Sequence, residues 1–259
     1  MTVLPYVLRS TLPLLICLGL LQPAGAQQSD IPTVEPQLGL SAEEVVANLV
    51  RRNLERAQAL GGYRATRTYR LDYRGFPGSR SAEMVVDVTY QHPGTKDFTV
   101  RSEKGSKLII ERVFKRLLQS EKEALSEENQ SRVALNNENY RFRLVGNEST
   151  PSGSRYVLSV EPRTKNKLLY RGRIWVDARD FAVTRIEGEP AKNPSFWTKE
   201  TKVEQVYAKV DDFWLPISNR STSAIRLGGH AYFTIDYGTY QITATTAAHP
   251  SPKNIAGYR

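Results

Sequence analysis

The chain is poor in the residues on which most catalytic and metal chemistry is built. It has one cysteine and three histidines in 259 residues. The cysteine, Cys17, lies inside the apolar run of residues 12–21. That run reads as part of a removed leader, so the mature chain is expected to hold no thiol. This excludes a disulfide framework, a thiolate nucleophile and cysteine-type zinc sites. His92, His230 and His249 stand far apart without metal-ligand spacing, and each reads as a surface or turn residue. There is no G-x-S-x-G elbow, phosphate loop or zincin helix. The acid pairs Asp177/Asp180 and Asp211/Asp212 sit in turn sequences, where carboxylates commonly bond backbone amides. Nothing selects a glycosidase pair from distant strands. These absences favour a binding protein over an enzyme, with no cofactor and no metal.

What is present begins with Arg9, an apolar run too short to span a bilayer, and the small residues Ala24-Gly25-Ala26. Together they read as a secretory signal peptide over residues 1–26, cleaved before Gln27. Cys17 does not read as a lipid-attachment site, because Ile16 stands where a small residue is needed. No later segment is apolar enough to cross a membrane as a helix, so a soluble exported product is expected. Residues 27–40, with Pro32 and Pro36, read as a flexible leader, and 246–259, with Pro250 and Pro252, as a mobile tail. Residues 41–245 then form a single domain. The formal net charge is +9. Such a basic balance suits anionic surfaces, and export makes peripheral contact with a membrane the natural one.

The domain is organised around residues 168–199. Residues 168–176 and 181–186 have strand composition, and Asp177-Ala178-Arg179-Asp180 between them supplies a turn, so the stretch reads as a hairpin. Pro190 and Pro194 end its ladder. Upstream, Ser41 and Glu44 form a capping-box pattern. Val46, Leu49, Val50, Leu54, Ala57 and Leu60 follow as one helical stripe, which Gly61-Gly62 is expected to stop. Residues 63–74 alternate, placing Tyr63, Ala65, Arg67, Tyr69, Leu71 and Tyr73 on one face and a basic row on the other. Because most tyrosines and most arginines fall on opposite faces, a nucleic-acid stacking groove is not expected.

Gly75-Phe76-Pro77-Gly78 makes the next turn. Strands follow over 81–90, with Met84, Val86 and Val88 on one face, and over 98–103. A helix is predicted over 107–125. Its apolar side is Leu108, Ile110, Val113, Phe114, Leu117 and Leu118, and its polar side Glu111, Lys115, Glu121 and Lys122. Further strands are predicted at 140–145, 156–160, 202–210, 213–220, 223–227 and 231–242, the last with Phe233 and Ile235 on one face. About ten antiparallel strands with two helices among the early ones make an α+β domain. A sheet of that size curls, and helices that need an apolar surface fill its hollow.

The hairpin residues from Leu169-Tyr170-Arg171-Gly172-Arg173-Ile174-Trp175-Val176-Asp177 to Phe181-Ala182-Val183-Thr184-Arg185-Ile186-Glu187-Gly188 resemble the strand, Asp turn, strand unit of the LolA/LolB-like lipoprotein-sorting proteins. Asp212-Phe213-Trp214-Leu215-Pro216 resembles the strand that follows in longer relatives. The resemblance implies a half-open barrel whose concave side holds acyl chains under a helical lid. It further implies a periplasmic carrier in outer-membrane lipoprotein sorting that acts as a monomer with inner- and outer-membrane transport partners. The expected cavity is Tyr69, Leu71, Tyr73, Met84, Val86, Val88, Phe233 and Ile235. The expected lid is Leu108, Val113, Phe114 and Leu117, with Arg67 and His92 as polar handles. Arg67 is the one cation on the apolar face, either reaching into the cavity or snorkelling to an edge. Carriers of this family place an arginine before a proline at the end of an early strand to bond the lid; here His92 precedes Pro93. An RseB/MucB-like sensor that binds a membrane-anchored partner is the alternative reading.

Overall fold

The computed structural model describes residues 39–125, 131–166, 168–192, 198–226 and 228–244. The signal peptide with Cys17, the leader to residue 38 and the tail with His249 lie outside the described residues. Helix α1 (Ala42–Ala59) starts at the predicted capping box. The Ser41 Oγ accepts from the Glu44 N–H at 3.3 Å, and the Glu44 carboxylate accepts from the Ser41 N–H at 2.8 Å. Its end departs from the prediction. Leu60 is already extended and opens strand β1 (Leu60–Arg74), so Gly61-Gly62 lie in the strand and do not stop the helix. The buried face also differs. Val45, Val46, Leu49 and Ala57 point inward, while Val50 and Leu54 are exposed.

The other strands are β2 (Arg80–Gln91), β3 (Thr95–Gly105), β4 (Tyr140–Thr150), β5 (Gly153–Pro162), β6 (Tyr170–Asp177), β7 (Val183–Pro190), β8 (Thr198–Val210), β9 (Phe213–Ile225), β10 (His230–Tyr237) and β11 (Gln241–Ala244). Two strands predicted over 213–227 are one, and the one predicted over 231–242 is two. In the second case the chain turns after Tyr237, so that β10 pairs with the second half of β1 and β11 with its first half. Between β3 and β4 lies a helical segment: α2 (Lys107–Ile109), a π-helical turn (Ile110–Phe114) and α3 (Lys115–Glu123). All strands join one antiparallel sheet in the order β3-β2-β1-β10-β9-β8-β7-β6-β5-β4, with β11 beside β1. The sheet is open, with β3 and β4 at its edges. This is the half-barrel α+β architecture.

Cross-strand partners share a face, so one row can be followed across nine strands. It runs Met84, Tyr69, Ile235, Asn219, Gln205, Ile186, Ile174, Leu158, Leu144. The row is apolar at both ends and polar in the middle, and the core divides accordingly. One cluster joins β1, β2 and β10 to the helical segment, through Tyr69, Met84, Phe233 and Phe114. The other joins β4 to β7 to α1, through Leu158, Ile174, Val46 and Leu49. Between them a seam of buried polar side chains crosses β8 and β9. Asn219 Nδ2 donates to Gln205 Oε1 at 3.4 Å, and the Thr201 and Ser223 hydroxyls lie 2.9 Å apart.

Strands β6 and β7 pass closely at Gly172, which faces Gly188. Gly172 has φ +152°, and a Cβ there would stand 2.0 Å from the Glu187 carbonyl oxygen. Gly172→Ala is therefore expected to cost more than about 2 kcal/mol in urea unfolding. Gly146→Ala, where a Cβ meets nothing within 4 Å, should stay within about 0.5 kcal/mol. Equal losses at the two positions would show that the close strand approach does not hold.

Candidate functional site

The helical segment lies over the face of β1, β2 and β10 that the alternation marked as apolar. Tyr69, Leu71, Met84, Val86, Val88, Phe233 and Ile235 are all buried in one cluster, with Tyr73 packed at its margin. Phe114 is fully buried, and its ring centroid lies 6.1 Å from those of both Tyr69 and Phe233. Val113 is buried with it, and Leu117 packs against the cluster. Leu108 does not join them. It is half-buried outside the cluster, and Ile109, Ile110 and Leu118 supply the remaining contacts. The cause is the π turn over Ile110–Phe114, whose extra residue per turn shifts the phase of the stripe. Among the described residues, the segment and the sheet face meet as a closed, packed surface.

At one end of this surface stands a buried ionic group. Arg67 is 1% exposed, so it does not snorkel to an edge. Its Nη1 donates to both carboxylate oxygens of Glu121 on α3, at 2.9 and 3.0 Å. Lys96 Nζ, from the start of β3, donates to the same carboxylate at 2.5 Å. Arg67 Nη2 donates to the Tyr63 hydroxyl at 3.2 Å, and the guanidinium lies 4.8 Å from the centre of the Tyr237 ring. Two cations thus share one anion inside a tyrosine-lined box. Burial by itself would raise the Glu121 carboxyl, but the charges of Arg67 and Lys96 outweigh it and lower it to about 2. Burial raises the Tyr69 hydroxyl to about 12, so it remains a neutral hydrogen-bonding group.

Glu121 was expected on the polar side of the helix and lies on the inner one. The signal was present. Glu121 stands four residues after Leu117 and three after Leu118, on the stripe those leucines define. Local sequence does not reveal Lys96 and Tyr237 as neighbours of this group, because strand pairing from opposite ends of the chain brings them there. His92 stands apart from this group. It is a half-buried turn residue whose N–H donates to the Gly61 carbonyl oxygen at 2.9 Å. The other turn assignments agree with the prediction. Asp177 Oδ1 accepts from the Arg179 and Asp180 N–H groups at 3.0 and 2.8 Å. The described residues include no cluster of three or more His, Cys, Asp or Glu that could hold a metal ion. No helix among them is long and apolar enough to cross a membrane.

No family model matches the chain, and no curated protein matches it. Solved structures do. The likeness is to LolA-like folds. A LolA superfamily protein from Nitrosomonas europaea is 10% identical over 79% of this chain and 94% of its own, with a TM-score of 0.36. An outer-membrane lipoprotein-sorting domain from Vibrio parahaemolyticus is 13% identical over 78% and 92%, at 0.39. A DUF1329 family protein from Desulfovibrio piger is 13% identical over 81% and 94%, also at 0.39. At these values the likeness concerns the fold and says nothing of ligand or partner.

The ionic group generates a pH prediction. The folded carboxyl of Glu121 lies below its ordinary value of 4.5, so its contribution to stability is full above about pH 4.5 and is lost as pH falls toward about 2. Glu121→Gln leaves two buried cations without an anion and should cost about 3–5 kcal/mol at neutral pH. The gap between wild type and variant should narrow as pH drops through that window, measured by urea unfolding at several pH values. A constant gap would mean that Glu121 does not titrate as part of this pair.

Proposed function

We propose that the protein is a non-enzymatic periplasmic carrier, and that acyl chains of lipids or lipoproteins lodge between the inner face of β1, β2 and β10 and the helical segment. Tyr69, Leu71, Met84, Val86, Val88, Phe233 and Ile235 form the floor, with Tyr73 at the rim. Val113, Phe114 and Leu117, together with Ile109 and Ile110, form the lid. The observation that carries this reading is that an apolar sheet face is roofed by a segment whose far end is held by one ionic group. Arg67 and Lys96 act as the latch on that segment, a role the resemblance gives to an arginine at the position where this chain has His92. The π turn in mid-segment gives the lid a natural point of deformation.

Magnitudes are compatible with opening. Releasing the latch costs about 3–5 kcal/mol. A chain of about twelve methylenes buried under the re-covered lid contributes on the order of 10 kcal/mol at about 0.8 per methylene. Handing over an acyl chain forms and breaks no covalent bond, so the carrier needs no catalytic group. Donor and acceptor proteins at the two membranes would load and unload it in lipoprotein sorting.

The test is Phe114→Ala. In a sealed core such a truncation costs about 3–5 kcal/mol. A lid over a ligand space should lose less stability and retain a fluorescent fatty-acid probe more weakly. A full stability loss with unchanged probe retention would identify a packed core and no carrier. Mass spectrometry of material co-purified from the periplasm supplies the ligand. A protein partner recovered without any lipid would favour the sensor reading.

A further inference from the structure

The outer face of the sheet carries a groove of about 960 Å³ across β4 to β9, on the side away from both cores. Its central row, in register, is Arg173, Glu187, Glu204 and Arg220. Each arginine therefore faces a carboxylate on the next strand, yet neither pairs with it. Both carboxylates lean onto Arg185, which forms ion pairs with Glu187 and, at 2.9 Å, with Glu204. Arg173 and Arg220 are exposed and form no ion pair among the described residues. Two other arginines of this face are paired. Arg70 is 2.8 Å from Glu83 and 2.5 Å from Asp236, and Arg101 pairs with Asp87. The Nε groups of Arg185 and Arg171 in the groove make no hydrogen bond, although Arg171 lies 3.6 Å from both Glu161 and Glu189.

We propose that this groove binds a hydroxyl-rich molecule bearing two phosphate groups, with the chemistry of a bisphosphorylated disaccharide. Arg173 and Arg220 are three strand spacings apart, about 14 Å, and each presents a planar fork that matches a phosphate in bidentate fashion. Arg143 stands two strands from Arg173 across Ser159, and Lys202 lies close to Arg220, so each pole has a second cation. Between the poles, Glu187 and Glu204 offer acceptors for sugar hydroxyls while Arg185 offsets their charge. A lone anion would use one pole and leave the other idle. A polycation is repelled at both. This proposal does not depend on the carrier reading, because the groove lies on the opposite face of the sheet.

The experiment is isothermal titration of the full mature chain with a water-soluble disaccharide bearing one phosphate on each sugar. The same disaccharide with one phosphate and inorganic phosphate are the comparators. The bisphosphate should bind at least ten-fold more tightly than either, and more weakly as salt rises. Arg173→Ala and Arg220→Ala should each reduce that affinity at least ten-fold without changing thermal unfolding, since both side chains are exposed. A second arm displays the bisphosphorylated headgroup on an acylated lipid in phosphatidylcholine vesicles. Arginine-dependent binding there supports the site with a lipid headgroup as its source. Binding confined to the soluble arm supports it with a free saccharide. Equal affinity for one and two phosphates, or binding indifferent to both substitutions, overturns the proposal.

Discussion

The far end of the helical segment is seated by one carboxylate between two cations. Taking Glu121, Arg67 and Lys96 out of water is costly, and apolar side chains of the same volume could hold the segment as firmly. What apolar packing would not supply is a unique seat. Leucines and isoleucines tolerate small shifts of register, whereas a carboxylate that must meet Arg67 Nη1 at 2.9 Å and Lys96 Nζ at 2.5 Å fits in one place. The group also concentrates the segment's attachment at its far end. Once Glu121 leaves, Arg67 retains hydrogen bonds to Tyr63 and Tyr69 and the face of Tyr237, so the cation is not abandoned.

The divided core follows the same logic at larger scale. Each helical element covers one half of a single sheet face, and the polar seam of Thr201, Gln205, Asn219 and Ser223 separates the halves. The strong backbone ladder between β8 and β9 keeps the sheet continuous across a line where side-chain packing is weak. Movement of the helical segment from β1, β2 and β10 would therefore leave the α1 cluster intact. The contacts of that second cluster, around Ile174 and Leu158, involve neither Phe114 nor its neighbours.

Period-two alternation was sufficient to read which side chains of β1, β2 and β10 face inward, because a buried face forbids a register slip of one residue. The capping box at Ser41 was legible for a similar reason: both its bonds are local. Three features were not legible. The helix α1 passes directly into β1, since pairing of Leu60 with Ala244 overrides the glycine stop. Leu108 lies off the buried face of the segment beside the π turn, and no composition rule announces such a turn. The groups assembled around Glu121 and Arg67 come from residues 96, 121 and 237, contacts that local spacing does not encode. Only Glu121 leaves a trace, on the leucine stripe, where its position points inward although its charge favours solvent.

The two binding surfaces proposed for this sheet cannot be two ends of one site. The helix-covered face belongs to β1, β2 and β10, and the arginine groove to β4 through β9 on the other side. From Arg173 on β6 to Tyr69 on β1 the sheet order counts five strand spacings, roughly 24 Å. A single amphiphile with its chains under Phe114 would have to pass around the β3 or β4 edge to bring its headgroup to Arg173. Chain binding and phosphate binding are therefore separable. Substitutions at Arg173 should leave acyl retention unchanged, and substitutions at Phe114 should leave phosphate affinity unchanged. If both activities exist and each responds to the other's ligand, the coupling must run through the β8–β9 pair, where the polar seam supplies hydrogen bonds that can rearrange. A fluorescent acyl probe titrated with and without the bisphosphorylated disaccharide measures that coupling directly. The geometry leads to the expectation of none.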